Sequence, residues 1–271
     1  MIFKQRLLSQ NFFKDKNLVA RLVGLANFGP NDLVVEIGAG KGIITEALAR
    51  VVGHVVAVEI DGELVVDLKR LFVSFSNVEI MLADIRQFAL PVRHYKVFGN
   101  IPFHIATDIV YKLLYYSNPP SESCLVLPRE AAEKFSGLSH ETQFSTLAKP
   151  WFDFQILQDL KRADFSPEPD VHVCLLRITK KETPLISPEE EMLYKSFIKF
   201  AFGTWKRDLK SGLKPIFSYS QWKRLADDNQ FSIHSKPTDL TFGQWLAIFR
   251  FFQKGIDPAK QGRVFALSRV S

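Results

Sequence analysis

Short apolar runs alternate with amphipathic segments along the first two thirds of the chain. Five of these runs, rich in β-branched residues, predict buried strands. They are Asp32–Ile37, Val55–Ile60, Val78–Leu82, Tyr95–Phe98 and Ser123–Leu127. The segments Ile43–Val52 and Ala106–Tyr116, and the stretch that ends at Leu71, have a helical pattern. Strands that alternate with helices of this length form a parallel sheet covered by helices on both faces, so the pattern predicts an α/β fold.

The pattern changes after Lys180. The alternating segment Val171–Ile178 predicts a last strand, which we expect at an edge of the sheet. Thr183-Pro184 and Ser187-Pro188 then interrupt regular structure and signal a helix start. Helical patterns follow at Glu189–Phe202, Gln221–Asn229 and Phe242–Phe252. We therefore predict an α/β domain over residues 1–180, a smaller all-helical domain over 181–256 and a poorly ordered polar tail over 257–271.

Composition narrows the class of protein. The chain has 271 residues, 46% of them hydrophobic, which is enough for one large or two modest domains. We find no apolar run long enough to span a bilayer and no secretory signal. Cys124 and Cys174 have no partners at metal-ligand spacing and form no disulfide framework. We expect a cytoplasmic, metal-free monomer.

The net charge of +6 is concentrated in the last third of the chain. Residues 1–180 contain 20 Lys and Arg against 20 Asp and Glu, whereas residues 181–271 contain 15 against 9. A basic excess favours a polyanionic partner such as nucleic acid. A charge of this size is also common in proteins that are merely soluble, so both interpretations stay open.

A glycine-rich loop joins the first predicted strand to the first predicted helix. Gly38 and Gly40 belong to a Gly-x-Gly-x-Gly pattern, and glycine lets a ligand approach the backbone closely. Ile43 stands where a dinucleotide-binding fingerprint has a small residue. The Gly-Lys pair at Gly40 and Lys41 is not followed by the Ser or Thr of a phosphate-binding P-loop.

Two carboxylates follow the next two strands. Glu59 lies 21 residues after Gly38, where an acid can bind a ribose diol. Asp84 follows the third strand and could accept a hydrogen bond from an adenine amine. S-adenosylmethionine, which has a ribose and an adenine but no phosphate, fits this pattern best. A nicotinamide dinucleotide, or a tight turn with solvated acids, remains an alternative.

The tetrapeptide Asn100-Ile101-Pro102-Phe103 ends the fourth strand. The side-chain carbonyl of Asn100 can accept a hydrogen bond from an exocyclic amine, and Pro102 fixes the backbone around the Ile101 carbonyl. Phe103 offers a flat face to a base. The combination favours chemistry on the amino group of a flipped nucleobase. A turn that simply ends a strand is the alternative.

The chain resembles the rRNA adenine N6-methyltransferases, and among them the erythromycin-resistance enzymes. The matching motifs are, in chain order, Gln10-Asn11-Phe12, Glu36-Ile37-Gly38-Ala39-Gly40-Lys41-Gly42, Glu59-Ile60-Asp61, Ala83-Asp84-Ile85, Gly99-Asn100-Ile101-Pro102-Phe103 and Phe165-Ser166-Pro167-Glu168-Pro169-Asp170-Val171. The small-subunit rRNA dimethyladenosine transferases, a sister group, usually have Pro in place of Ala39 and the sequence Asn-Leu-Pro-Tyr in place of the tetrapeptide.

The resemblance implies a Rossmann-like S-adenosylmethionine-dependent methyltransferase with a helical C-terminal domain. It implies two successive methyl transfers to N6 of an adenine in 23S rRNA, and hence macrolide-lincosamide-streptogramin B resistance. The catalytic residues that it implies are Asn100, Ile101, Phe103 and Phe165, of which the two phenylalanines would sandwich the adenine. The cofactor-binding residues that it implies are Asn11, Phe13, Gly38, Gly40, Glu59, Asp84, Ile85 and Asn100.

A basic segment in the helical part is a candidate for contact with RNA. Lys206, Arg207 and Lys210 lie near helical spacing, although a solvated helix face explains them equally well. Two further functions remain open from the sequence. One is methylation of small-subunit rRNA, and the other is RNA binding without catalysis on a methyltransferase fold.

Overall fold

A computed structural model of the protein describes residues 11–204 and 207–268. They divide into two compact units. The first contains the residues up to Ala132 together with Asp153–Lys181, and the second contains Glu133–Phe152 together with the residues from Glu182 onward. The predicted boundary after residue 180 is close to the observed one. However, Glu133–Phe152, which we predicted in the α/β domain, belongs to the second unit.

The first unit is built around a seven-stranded sheet. Its strands are β2 Leu33–Ile37, β3 His54–Glu59, β4 Val78–Leu82, β5 Lys96–Asn100, β6 Glu122–Pro128, β7 Phe152–Leu160 and β9 Val173–Lys180. Their order across the sheet is β4-β3-β2-β5-β6-β9-β7. Neighbouring strands from β4 to β6 are parallel, as the alternating pattern predicts. Because β2 lies between β3 and β5, the carboxyl ends of these three strands are adjacent.

Helices lie before, between and after the parallel strands along the chain. They are α1 Lys16–Gly24, α2 Ile43–Ala49, α3 Gly62–Leu71, α4 Ala106–Tyr115 and α5 Arg129–Ser136. Asp61 begins α3 by accepting hydrogen bonds from the backbone N–H groups of Glu63 and Leu64. The helices that follow β2, β3 and β5 start where those strands end, so the loops before them gather at one edge of the sheet.

The strand that we predicted at an edge of the sheet is internal. β9 pairs antiparallel with β6, and β7, which the sequence did not predict, lies on its other side. Val173 to Leu176 are all buried, which is the pattern of a central strand. The apolar-polar alternation of Val171-His172-Val173 stops where β9 begins. The prediction of an edge strand, which rested on this alternation, is therefore wrong.

A second, two-stranded sheet lies within the same unit. β1 Phe12–Phe13 pairs antiparallel with β8 Phe165–Ser166, and Lys14 N–H donates to the Asp164 carbonyl at 3.1 Å. The Ser166–Pro167 peptide bond is cis. This ladder joins the start of the described chain to the Phe-x-Pro-x-Pro segment, about 150 residues away in sequence.

The second unit is helical. Its helices are α6 Gln143–Ala148, α7 Pro188–Thr204, α8 Leu209–Leu213, α9 Tyr219–Asp228, α10 Phe242–Gly255 and α11 Pro258–Ser268. Its core is aromatic, with fully buried Tyr194, Phe197, Trp245, Phe249 and Phe252. Segment 133–152 belongs to this unit because Tyr194 on α7 donates a hydrogen bond to the Thr146 carbonyl at 2.6 Å.

The predicted disordered tail contains a helix instead. α11 covers residues 258–268, and Val264 is completely buried in the aromatic core. The Gln261 side chain also donates to the Ile256 carbonyl at 2.9 Å. The apolar residues Val264 to Leu267 are consecutive rather than spaced at helical intervals, so the sequence pattern did not predict a helix. In residues 11–204 and 207–268, no helix is long and apolar enough to cross a membrane.

Candidate cofactor and nucleobase site

Glu59 anchors the glycine loop from the end of β3. Its buried carboxylate accepts a hydrogen bond from Gly40 N–H at 2.8 Å and others from Ile60 and Asp61 N–H at 2.9 and 3.0 Å. A carboxylate has about four acceptor positions, so capacity for about one further donor remains. Glu59 therefore shapes the loop, and its predicted contact with a ribose stays a prediction.

Phe12 packs directly on the glycine loop. Gly40 has φ +56°, and a Cβ atom there would lie 2.8 Å from the Phe12 ring. Lys41 Nζ lies 5.0 Å from the centroid of the same ring. A side chain at position 40 would therefore be strained twice, once by the backbone conformation and once by the ring. Glycine at position 40 thus lets the Phe12 ring pack against the backbone of the loop.

A hydrogen bond to the backbone of Asn11 orients the amide of Asn100. Its Nδ2 group donates to the backbone carbonyl of Asn11 at 2.6 Å. A carbonyl can only accept, so the amide nitrogen must face Asn11 and the amide oxygen must face away. The oxygen is thus the part of the side chain that remains available to an amine. Asn11 takes part through its backbone, where the sequence had indicated only that the residue belongs to the site.

The rest of the tetrapeptide is held in the same cleft. Ile101 N–H donates to the Val126 carbonyl of β6 at 3.0 Å, and the Ile101 side chain is buried. Phe103 is half-buried and starts a short 3-10 helix that leads into α4. The residues that line this cleft are Asn11, Phe12, Gly38, Gly40, Asn100, Ile101, Pro102 and Phe103. The structure therefore brings together six of the predicted site residues.

Asp84 is paired with a neighbouring arginine. Its carboxylate accepts hydrogen bonds from Arg86, including one from Nη2 at 2.6 Å and one from the backbone N–H at 2.9 Å. The Arg86 side chain is the main cause that lowers the pKa of Asp84. Asp84 is thus ionised and positioned, while the adjacent Ile85 is buried. Their contact with an adenine remains a prediction, and Arg86 is a further residue of this site that no sequence motif indicated.

Phe13 and Phe165 lie in the core rather than in the cleft. Phe165 is completely buried, Phe13 nearly so, and their ring centroids are 4.6 Å apart. Successive side chains of a strand point to opposite faces, so in β1 one phenylalanine enters the core and the other reaches the cleft. The cleft residue is Phe12, where the sequence had indicated Phe13. A base could stack on Phe165 only if this packing opened.

The basic residues of the helical unit are partly described. Lys206 lies outside the described residues, while Arg207, Lys210 and Lys214 line a groove between α8 and α9. Lys210 Nζ lies 4.9 Å from the ring centroid of the exposed Tyr219.

Among the described residues no cluster of three metal-ligating side chains occurs.

The cleft of the first unit fits a cofactor that approaches a glycine-lined backbone closely. Gly38 and Gly40 both have positive φ, and beneath them lies the completely buried carboxyl of Glu36, whose pKa is raised by burial and lowered to a smaller extent by hydrogen bonding to Thr45. Together with the strand order, these features are those of a Rossmann-like fold that binds a nucleoside-containing cofactor at the carboxyl ends of its strands.

Comparison with known proteins agrees with this class. The family model described as ribosomal RNA adenine dimethylase matches residues 3–254. An rRNA adenine N-6-methyltransferase of Bacillus licheniformis is 31% identical over 243 residues, which are 89% of this chain and 84% of the relative. A ribosomal RNA small subunit methyltransferase A of Alkaliphilus oremlandii is 30% identical over 217 residues, 76% of each chain.

A solved structure shares the fold. The crystal structure of the 23S rRNA methyltransferase ErmE superposes with a TM-score of 0.85 at 23% identity, over 90% of this chain and all of that chain. The chain belongs to the ribosomal RNA adenine dimethylase family. It is an S-adenosylmethionine-dependent rRNA adenine N6-methyltransferase.

Proposed function

We propose that the enzyme methylates N6 of one adenine in 23S rRNA, twice in succession, and thereby confers resistance to macrolides, lincosamides and streptogramin B. The sequence at the end of β5 carries this choice of rRNA. Ile101 and Phe103 stand where the small-subunit enzymes usually have Leu and Tyr, and Ala39 stands where they usually have Pro. The Bacillus relative, named rRNA adenine N-6-methyltransferase, also matches more of the chain than the small-subunit relative does.

The mechanism depends on positioning an amine. S-adenosylmethionine supplies a methyl group on a positively charged sulfur. The lone pair of the adenine amine is delocalised into the ring, so the free amine is a weak nucleophile. In our proposal the Asn100 amide oxygen and the Ile101 carbonyl accept the two amine hydrogens. This directs the lone pair out of the ring plane, and the two dipoles stabilise positive charge that develops on nitrogen.

No strong base is needed for this step. Once nitrogen has gained the methyl group it is positively charged, and its proton is acidic enough to leave to water. Phe103 would hold the flipped base by stacking, a contact worth roughly 1–3 kcal/mol per base. The observation that supports the mechanism most directly is the hydrogen bond from Asn100 to Asn11, because it leaves the amide oxygen to accept.

A parallel methylation assay tests the choice of substrate. Protein-free 23S and 16S rRNA would each be incubated with the enzyme and S-adenosylmethionine labelled in its methyl group. We expect label in one adenine of 23S rRNA as N6,N6-dimethyladenine. With Asn100→Ala we expect a rate at least ~100-fold lower, similar to the loss of one transition-state hydrogen-bonding group. Label in 16S rRNA alone would contradict the proposed target.

The second candidate is a small-subunit rRNA dimethyltransferase. The Alkaliphilus relative, which is 30% identical and named as a small subunit methyltransferase, supports this second candidate. The same assay separates the two, because the rRNAs are offered side by side. We further propose that the enzyme acts as a monomer in the cytoplasm, where its rRNA substrate is found. Sedimentation equilibrium at micromolar concentration would test the monomeric state.

A further inference from the structure

The groove between α8 and α9 is a cavity built entirely from the helical unit. It encloses about 530 Å³, a volume typical of pockets that hold small ligands. The buried side chains of Leu213, Phe217 and Trp222 form the apolar part of its lining. Trp222 donates its indole N–H to the Ile233 carbonyl at 3.0 Å, so the polar atom of this ring already has a partner. The groove therefore offers a ligand an apolar interior.

Tyr219 presents an exposed aromatic ring to the same groove. It is the first residue of α9, and 58% of its surface is exposed. Lys210 of α8 contacts the ring, with Nζ 4.9 Å from the ring centroid, and this attraction holds the two side chains together. An exposed aromatic ring beside a cation is the arrangement on which the bases of single-stranded nucleic acids stack.

The charged groups of the groove favour an anion. Arg207, Lys210 and Lys214 all line it. The acidic residue of the lining, Asp208, is buried, and one of its carboxylate oxygens accepts hydrogen bonds from the N–H and the hydroxyl of Ser211 at 2.8 and 2.7 Å. Asp208 is thus engaged inside the fold, and the three cations remain to bind a phosphate.

His234 adds a hydrogen-bonding group with a defined orientation. Its Nδ1 lies 2.7 Å from the second carboxylate oxygen of Asp208, and this contact is the main cause that lowers the pKa of Asp208 to about 2. An ionised carboxylate can only accept, so Nδ1 carries the hydrogen. Nε2 is then the ring nitrogen that a ligand can use, and in the neutral ring it is an acceptor.

We propose that the α8–α9 groove binds one unpaired nucleotide of the RNA substrate, separate from the adenine that is methylated. The base stacks on Tyr219 over the apolar interior, its edge donates a hydrogen bond to His234 Nε2, and the flanking phosphates bind the basic residues. The proposal rests on RNA being the substrate, whichever rRNA is methylated. A paired base cannot enter, because its neighbours in the stack cover both of its faces, so the groove selects single-stranded RNA.

Binding of two short RNAs to the full chain tests the proposal. One is a fluorescein-labelled oligouridylate of about 12 nucleotides, a length in the range of single-strand sites, and the other is a blunt-ended duplex of the same strand length. By fluorescence anisotropy, we expect Tyr219→Ala to bind the single strand about fivefold or more weakly than wild type, as for the loss of one stacked base. Binding of the duplex should be unchanged. The oligouridylate contains no adenine, so the result is independent of the choice between 23S and 16S rRNA.

Two further variants serve as controls. Tyr219→Phe keeps the ring and should bind both RNAs as wild type does. Met192→Ala removes an exposed apolar side chain of α7 outside the groove, and it should also bind as wild type does. Equal losses of Tyr219→Ala on both RNAs, no loss on the single strand, or a wild type that binds only the duplex would each overturn the proposal.

Salt dependence separates stacking from displacement of a lysine. Removal of the Tyr219 ring also removes the contact that holds Lys210. Stacking releases no counterions, so the slope of log affinity against log salt for the single strand should be the same for Tyr219→Ala and wild type. A slope reduced by about 0.7, the value for one phosphate contact on a single strand, would show that Tyr219 acts only through Lys210 and would contradict base stacking.

Discussion

At the scale of single residues, one backbone contact sets the geometry of the site. Asn100 could present either end of its amide to a base, and the Asn11 carbonyl selects the end by accepting from Nδ2. Glu59 does the same for the glycine loop by accepting from Gly40 N–H. Each side chain is fixed by a partner distant in sequence, so the site depends on the folded ends of three neighbouring strands.

Gly40 should not tolerate a side chain. Gly40→Ala places a Cβ 2.8 Å from the Phe12 ring at φ +56°, so either the ring or the loop must move. We expect binding of S-adenosylmethionine at least about tenfold weaker, from a strain of the order of 1–2 kcal/mol. Gly62→Ala at the start of α3 is the matched control, because a Cβ there contacts nothing within 4 Å. Equal affinities of the two variants, measured by calorimetry, would refute the expectation.

Glu36 should also link stability of the free protein to pH. Its pKa is about 8 when folded and near 4.5 in the unfolded chain, so the folded state binds the extra proton between these values. The free energy of unfolding therefore falls as pH rises through this window, by up to about 1.4 kcal/mol per pH unit. Urea unfolding of wild type and Glu36→Gln at pH 5.5, 6.5 and 7.5 should show the variant gaining relative stability with pH. A constant difference would contradict this linkage.

At the scale of elements, the β1–β8 ladder ties β1, whose Phe12 packs on the glycine loop, to the Phe-x-Pro-x-Pro segment. The ladder pairs Phe13 with Phe165 in the core and leaves Phe12 over Gly40. A change in the pairing of these two strands would therefore move the Phe12 ring, which lines the cleft. The two segments lie too far apart in sequence for any local pattern to indicate that they pair.

Phe165 distinguishes packing from base stacking. Because its side chain is completely buried, Phe165→Ala should lower the free energy of unfolding by about 3–5 kcal/mol, as for other buried aromatic residues. Phe103→Ala, at a half-buried ring, should cost less stability and should weaken RNA binding directly. Urea unfolding and RNA affinity would be measured for both. A stable Phe165→Ala with weakened RNA binding would instead support the predicted sandwich.

At the scale of the whole molecule, the two units differ in charge and in core. The first has a sheet with apolar strands, whereas the second has an aromatic helical core and basic residues along the α8–α9 groove. The excess positive charge of the sequence after residue 180 agrees with a role of the second unit in binding the phosphate backbone. That role is a proposal, and it predicts that the affinity for rRNA depends on the salt concentration.

Charge reversal in the groove tests this role. Arg207→Glu with Lys210→Glu should weaken rRNA binding about tenfold or more at low salt, and should reduce the slope of log affinity against log salt by about 2. Lys223→Glu with Arg224→Glu is the matched control, since both residues are exposed on α9 and lie outside the groove. Filter binding between 50 and 300 mM salt measures both. Identical slopes for the two double variants would rule the groove out.

Local sequence patterns determined most of the strands and helices around the site. Strands β2 to β6 and helices α2, α3, α4, α7, α9 and α10 begin and end within a few residues of their predicted bounds. Their periodicity and turn residues act over a few positions, so they are visible in the sequence. The same holds for the glycine loop and the Asn100 tetrapeptide, because backbone conformation at Gly and Pro is a property of those residues themselves.

Long-range packing decided the features that local sequence patterns did not predict. It placed β9 inside the sheet, recruited Glu133–Phe152 and α11 into the helical unit, and exchanged Phe12 for Phe13 in the cleft. It also buried Phe165 and the Glu36 carboxyl completely. These outcomes depend on which apolar surfaces meet across the chain, and burial of apolar surface is a property of the assembled core that no short segment contains.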